Sequence, residues 1–318
     1  MNVAEASNAS EAVLEEVQTA VIGEQQLFET IMTAIVAQGH VLLEDVPGTG
    51  KTLTAQSIAT ALDLEFTRIQ FTPDLLPADI TGTHIYNEHE ASFEFERGPV
   101  FANVVLADEI NRAPPKTQAA LLEAMGEKQV SVAGETYDLP EPFFVIATQN
   151  PVEQEGTFPL PEAQVDRFMV KTTIGYPNRG GELTLINRRA DRHARTPTVS
   201  RVVDQETVLD IQTVPETVVV DPVIREYLVD VCRATREDSR VEVGVSPRGV
   251  QRLFEASRAR AMLAGRDYVA PEDIQAIAHA VLDHRLVLTT EADVRGVDSS
   301  TVVDSALNSV PVPSMVEE

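Results

Sequence analysis

Residues 40–62 constrain the fold more than any other stretch of this chain. HVLLE, at residues 40–44, is an apolar run of strand length; DVPGTGKT follows at residues 45–52, and a helical pattern continues to Leu62. Strand, glycine-rich turn and helix in that order belong to a parallel sheet covered by helices, with the turn delivering backbone N–H groups to an anion at a helix N-terminus. The glycines let those groups converge, and the helix dipole favours negative charge there. The general pattern of such a phosphate loop has Gly five residues before Gly50, where this chain has Asp45.

Four further pieces follow in series: LADE at residues 106–109, ATQN at 147–150, DRF at 166–168 and SPR at 246–248. Strands are expected at 65–71, 103–107, 142–147 and 168–173, with helical stretches between most of them, as a parallel sheet demands. In a triphosphate site, Pro47, Gly48, Thr49, Gly50 and Leu53 line the nucleotide, Lys51 neutralises the β- and γ-phosphates, and the Thr52 hydroxyl ligates Mg²⁺. Asp108 and Glu109 end an apolar strand and point two carboxylates toward the loop, Asp108 holding Mg²⁺ through water and Glu109 polarising the attacking water as general base. Asn150 ends a strand on the same edge, where its amide reaches both the γ-phosphate and the water. Arg167 has two readings, a local salt bridge with Asp166 or a finger extended to a neighbouring subunit's γ-phosphate. Arg248 stands in the first turn of a later helix. Arg112 and Arg97 are further candidates for contacts between subunits.

Beyond Tyr176 the pattern turns to helices alone, at 181–190, 205–213, 222–235, 247–264 and 271–284, with Pro in the first turn of three of them. The expected organisation is a nucleotide-binding core at 1–176, a helical lid at 177–290 and a loosely held tail at 291–318. The first ten residues read as frayed. Two hairpins interrupt the core, one around residues 83–96 and one around 129–139.

Acidic residues number 50 against 25 basic ones, a formal net charge of -25, and the only lysines are Lys51, Lys116, Lys128 and Lys171. Acid spread through ordered-looking elements suits a halophilic cytoplasm, where a screening length of about 3 Å at 1 M salt makes self-repulsion tolerable. The same charge disfavours nucleic acid, whose phosphates call for a basic stripe. No segment approaches the ~18 consecutive apolar residues of a membrane span, and no basic flank precedes an apolar run near Met1. A cytoplasmic protein is expected. The single Cys232 makes no metal cluster and no disulfide within the chain.

GPVFANVVLADEINRAPPKTQAALLEAM, residues 98–125, and ATQNPVEQEGTFPLPEAQVDRF, residues 147–168, resemble the signature of the MoxR family of AAA+ ATPases, and the resemblance runs over residues 13–288. It implies an α/β fold, an αβα P-loop NTPase core with a five-stranded parallel sheet and a smaller all-helical lid. It also implies a homo-oligomeric ring, commonly hexameric, in which a neighbour completes each ATP site. On that resemblance Lys51 and Thr52 are Walker A, Asp108 and Glu109 Walker B, Asn150 sensor one, Arg167 the arginine finger and Arg248 sensor two. Val21, Ile22 and Gly23 fall where such proteins touch adenine. The hairpins match the helix-two and pre-sensor-one inserts of this branch, and residues 205–213 match a helix that can shift the lid, which leaves open whether Arg248 acts in cis or in trans. Family members remodel, activate or load metal into client proteins, often with a von Willebrand factor A domain partner. Three other functions compete: a helicase-like motor, a magnesium-chelatase ATPase subunit, and a nucleotide-gated scaffold that does not hydrolyse. The Glu-rich first hairpin weighs against the first, the TFPLPEAQVDRF run against the second, and the presence of Glu109 and Arg167 against the third.

Overall fold

The computed structural model describes residues 1–151, 156–191 and 197–313. The chain opens with α1 (Val3–Ala20), and the expected fraying is not found: Asn2 and Glu5 form a reciprocal capping box. Ala6, Ser10, Val13 and Val17 bury one face of this helix, and Ser7 Oγ donates to the Leu263 carbonyl at 2.8 Å. The short polar side chains of residues 1–10 hide a cap and a buried seam, which is why the segment reads as loose in sequence. After α2 (Gln25–Val36) the chain turns at Gln38, and Gly39 lies so close to Met169 that an added Cβ would stand 2.5 Å from that residue's own Cβ.

The core continues through β1 (Val41–Glu44), α3 (Lys51–Ala61), β2 (Phe66–Gln70), α4 (Pro77–Thr81), the hairpin β3 (Gly82–Asn87) and β4 (Ser92–Arg97), β5 (Val104–Asp108) and α5 (Pro115–Glu127). Then come the second hairpin, β6 (Gln129–Val132) and β7 (Glu135–Asp138), and β8 (Phe144–Gln149), α6 (Glu162–Val165) and β9 (Val170–Thr172). Five strands pair in parallel in the order β2-β5-β8-β1-β9. Period-two alternation sorts their side chains: Val41, Leu43, Val104, Leu106 and Ile146 enter one apolar core, while Leu42, Val105, Ala107, Val145 and Ala147 enter the core on the opposite face. Strands buried on both faces read as continuous apolar runs, which is why they were legible. The two hairpins lie against each other, with Tyr137 stacked on Phe95 at 4.0 Å between ring centroids.

Beyond β9 follow α7 (Arg179–Asp191), α8 (Gln205–Thr213), α9 (Pro222–Glu237), β10 (Val241–Val243), α10 (Pro247–Leu263), α11 (Pro271–Leu282), β11 (Val287–Leu288), α12 (Thr290–Val294) and α13 (Ser299–Ser309). The expectation of helices alone is corrected by β10 and β11, which pair antiparallel; ladders this short leave no alternation to read. Over residues 291–313 the expectation of a loose tail is corrected as well, and residues 314–318 of that tail lie outside the described residues. Asp298 caps α13 by accepting from Thr301 N at 2.8 Å, and Val302, Val303 and Ala306 are buried where α13 packs against α9 and α11. A core face of so few residues ahead of Pro311 and Pro313 carries too little periodicity to announce itself. No helix among the described residues is long and apolar enough to cross a membrane.

Candidate active site

Sheet order assembles the site. Because β8 lies between β1 and β5, the loop after β1, the acid pair at the end of β5 and Asn150 after β8 leave three adjacent strands at one carboxyl edge, the usual place for a ligand in such sheets. Gly50 opens α3 with φ +94°, a conformation that suits glycine. Lys51 Nζ donates to the carbonyls of Asp45 at 2.7 Å and Val46 at 3.0 Å, so its charge sits at the mouth of the loop. Thr52 follows it in the first turn of α3.

Asp45, the departure from the general phosphate-loop pattern, has a definite job here. Its side chain accepts from Val46 N at 2.7 Å, Ile174 N at 3.0 Å and Gly175 N at 2.8 Å. The residue is 7% exposed and clasps the start of the loop to the segment that leads into the lid.

Asp108 is buried. Its Oδ1 accepts from Thr148 Oγ1 at 2.7 Å, and its Oδ2 from Arg68 Nε at 3.0 Å and Nη2 at 2.5 Å. Glu109 adopts φ +56°, donates its backbone N–H to Thr148 Oγ1 at 2.9 Å, and accepts on Oε2 from Gln70 Nε2 at 2.9 Å and Arg112 Nη1 at 3.1 Å. Arg112 therefore binds the acid within its own chain, and Arg97 stacks over Phe101 at 5.1 Å. Arg68, Gln70 and Thr148 escaped the sequence reading. The polar alternation of FTRIQ was a signal, but its meaning needed the register that sets Gln70 beside Asp108. Among the described residues no group of three His, Cys, Asp or Glu side chains makes a metal cage by itself. A divalent cation held by Thr52 and Asp108 would draw the rest of its shell from oxygens other than a carboxylate cluster, such as water or phosphate.

Val21 and Ile22 line a cleft of about 780 Å³ with Gly48, Thr49, Gly50 and Leu53. Tyr176, at the end of the core, and Arg188 and Arg189 of α7 also line it, and sequence reading missed all three as site residues. Arg188 Nη1 bonds the carbonyls of Gln18 and Thr19 at 2.8 Å each; an Arg pair in the last turn of a helix just past the core was the available sign. Gly23 lines a neighbouring cavity with Ile22 and Tyr176. Pro47 is exposed on the loop itself.

Arg167 and Arg248 stand elsewhere. Both line a separate cavity of about 340 Å³, together with Lys128, Arg252 and Arg258, and among the described residues none lines both this cavity and the cleft. Arg167 Nη1 donates to the Leu122 carbonyl at 2.6 Å, so the local pair with Asp166 is not what holds it. Asp166 instead binds Arg285 Nε at 2.8 Å and faces Arg248 Nε at 3.7 Å. In the wall of this cavity, burial pushes the His40 imidazole down to about 4, leaving it neutral between Val145 N and the Met125 carbonyl. Burial likewise pushes the Cys232 thiol up to about 12, which leaves it unreactive.

A family model described as "ATPase family associated with various cellular activities (AAA)" matches residues 40–170, and one described as "AAA lid domain" matches residues 233–306. The uncharacterized protein YeaC of Bacillus subtilis is 46% identical over 300 residues, 94% of this chain and 93% of that protein. Chaperone MoxR1 of Mycobacterium tuberculosis is 41% identical over 314 residues, 96% of this chain and 82% of its own length. A crystal structure of a candidate ATPase from Cytophaga hutchinsonii superposes with a TM-score of 0.91 at 41% identity, covering 98% of this chain and 97% of that one. A phosphate loop, an acid pair and a helical lid in these places, with such identity along almost the whole length, mean that the chain belongs to the MoxR family of AAA+ ATPases.

Proposed function

We propose that this chain hydrolyses ATP with Mg²⁺ as a ring of identical copies, each site completed by Arg167 and Arg248 of the neighbour, and that hydrolysis drives chaperone-like remodelling or metal loading of client proteins in the cytoplasm. One observation carries the reading. Lys51, Asp108, Glu109 and Asn150 meet at one sheet edge, while Arg167 and Arg248 share a cavity that none of them lines. Arginines so placed serve a triphosphate best when it belongs to another copy.

In each site Lys51 and the loop N–H groups hold the phosphates, Thr52 and Asp108 hold the metal, and Asn150 orients the water. Glu109 takes the water's proton; Gln70 and Arg112 set its orientation at the strand end. Mg²⁺, when bound, neutralises phosphate charge. Val21, Ile22 and Tyr176 flank the base. In a chain of net charge -25, the arginines of the second cavity concentrate positive charge where a neighbour's γ-phosphate needs it.

The first hairpin favours a protein client over nucleic acid. It exposes Phe93 at 70% against Tyr86 on one face and Ile85 with Glu94 and Glu96 on the other, with Glu88 and Glu90 at the turn, a surface for peptide and a poor one for phosphates. The name Chaperone MoxR1 borne by a relative agrees with this. A von Willebrand factor A domain protein is the proposed partner, on the family resemblance. The test is Mg²⁺-dependent ATPase activity as a function of protein concentration. Turnover per chain should rise as copies associate, Arg167→Ala should abolish it, and mixing Arg167→Ala with Lys51→Ala chains should restore part of it. Constant turnover per chain at all concentrations, with no recovery on mixing, would refute the reading.

A further inference from the structure

Arg285, at the end of the 3-10 turn after α11, has a side chain only 2% exposed that reaches toward the core. All five of its N–H groups have acceptors. Nε reaches Asp166 Oδ1 at 2.8 Å, and Nη2 reaches the carbonyls of Phe168 at 2.7 Å and Asp166 at 3.2 Å. Nη1 reaches the Met169 carbonyl at 3.2 Å, the Val281 carbonyl and His284 Nε2 at 2.6 Å. Burial holds His284 neutral, well below its ordinary value. The acceptors on Asp166, Phe168 and Met169 bracket Arg167. Asp166 is shared, since its second oxygen faces Arg248. Gly249, next to Arg248, leaves the space Arg285 occupies: a Cβ there would stand 3.0 Å from Arg285 Cδ.

Apolar residues of similar volume often replace a buried ion pair without loss of stability, so stability alone is a weak reason for a buried guanidinium. Its planar fork fixes direction as well as distance. Arg188 and Arg189 of α7 line the nucleotide cleft.

We propose that Arg285 is a positioning residue for the ring interface: through Asp166 and the carbonyls flanking Arg167 it ties the lid to the segment bearing the finger. A lid that moves on its own nucleotide then alters the reach of Arg167 and Arg248 into the next site. This rests on the reading that both arginines act in trans.

The experiment uses mixed full-length chains. Acceptors carry Arg167→Ala and keep their own cleft; donors carry Lys51→Ala and supply the arginines. Adding Arg285→Met to the donor should lower the restored kcat at least about fivefold with little change in KM, the scale of ordinary coupling between sites. Adding it to the acceptor should leave the restored rate within about twofold, as for independent positions. Equal loss from both placements would make Arg285 merely structural and overturn the proposal, as would equal restoration by both donors. No restoration by the plain donor would sink the trans reading itself. Should Arg285→Met fail to fold, Asp166→Asn in the donor removes the charged half of the same contact and must give the same asymmetry.

Discussion

Replacing Asp45 by glycine restores the residue that the general phosphate-loop pattern has at this position, so pattern logic expects an unharmed or improved loop. The geometry demands the opposite. Asp45 accepts two hydrogen bonds across to Ile174 N and Gly175 N and a third from its neighbour Val46 N, and it is almost wholly buried. Hydrogen bonds to a charged acceptor contribute about 1.5 kcal/mol or more each. The Val46 N–H can turn to water, so the two long-range bonds set the loss, about 3 kcal/mol for Asp45→Gly. At about 2–4 °C per kcal/mol for a domain of 150–250 residues, the melting midpoint should fall by about 6–12 °C. The clasp also joins the loop to the start of the lid, so ATP affinity should fall with it. The assay is a thermal melt with and without ATP, beside ATP titration below the melt. A midpoint within about 2 °C of the parent, outside that expectation, with unchanged affinity, would show that the carboxylate holds nothing of consequence.

Glu109→Gln should still bind ATP but lose turnover by about 10²–10⁴-fold, the usual contribution of a general base; a wild-type rate in single-turnover measurements would remove Glu109 from that role. His40, held neutral with its pKa pushed to about 4, is more easily protonated in the unfolded chain, so its contribution is present above about pH 6.5 and is lost as pH falls toward 4. That loss approaches about 3 kcal/mol at full burial. Denaturation midpoints between pH 7 and 4 should fall less steeply for His40→Gln than for the parent, and parallel curves would contradict this. Asp283 acts with the other sign: burial raises its carboxyl to about 6, above its unfolded value, so its contribution is present at low pH and lost as pH rises through about 6. Asp283→Asn should therefore raise the midpoint at pH 7.5 more than at pH 4. Ending the chain after Gly296 removes buried Val302 and Val303, each a loss of about 1.5–3 kcal/mol, so thermal melting should drop well below the parent rather than remain unchanged.

Much of the site could be read one residue at a time. Lys51 and Thr52 sit in a turn whose flanks have the right periods, and Asp108, Glu109 and Asn150 end apolar runs that are buried on both faces. The misreadings have a common cause. Asn2 with Glu5 and Asp298 with Thr301 are local caps whose value depends on what their helices pack against. Arg68 and Gln70 belong to no motif; only the register sets Gln70 beside Asp108, where the Arg68 side chain also reaches that carboxylate.

What the chain's order of residues determined by itself was the set of local structures and the chemistry each carries, because strand and helix periods, glycine turns and capping act within a few residues of one another. Which of those pieces share a pocket was decided only by the tertiary structure. The sheet order brings Lys51, Asp108 and Asn150 to one edge, whereas Arg167 and Arg248 come together at another cavity, and Arg285 and Asp166 meet across 119 residues of sequence. Contacts between residues so far apart follow from how the two faces of a twisted sheet are covered, and no period along the chain encodes that covering.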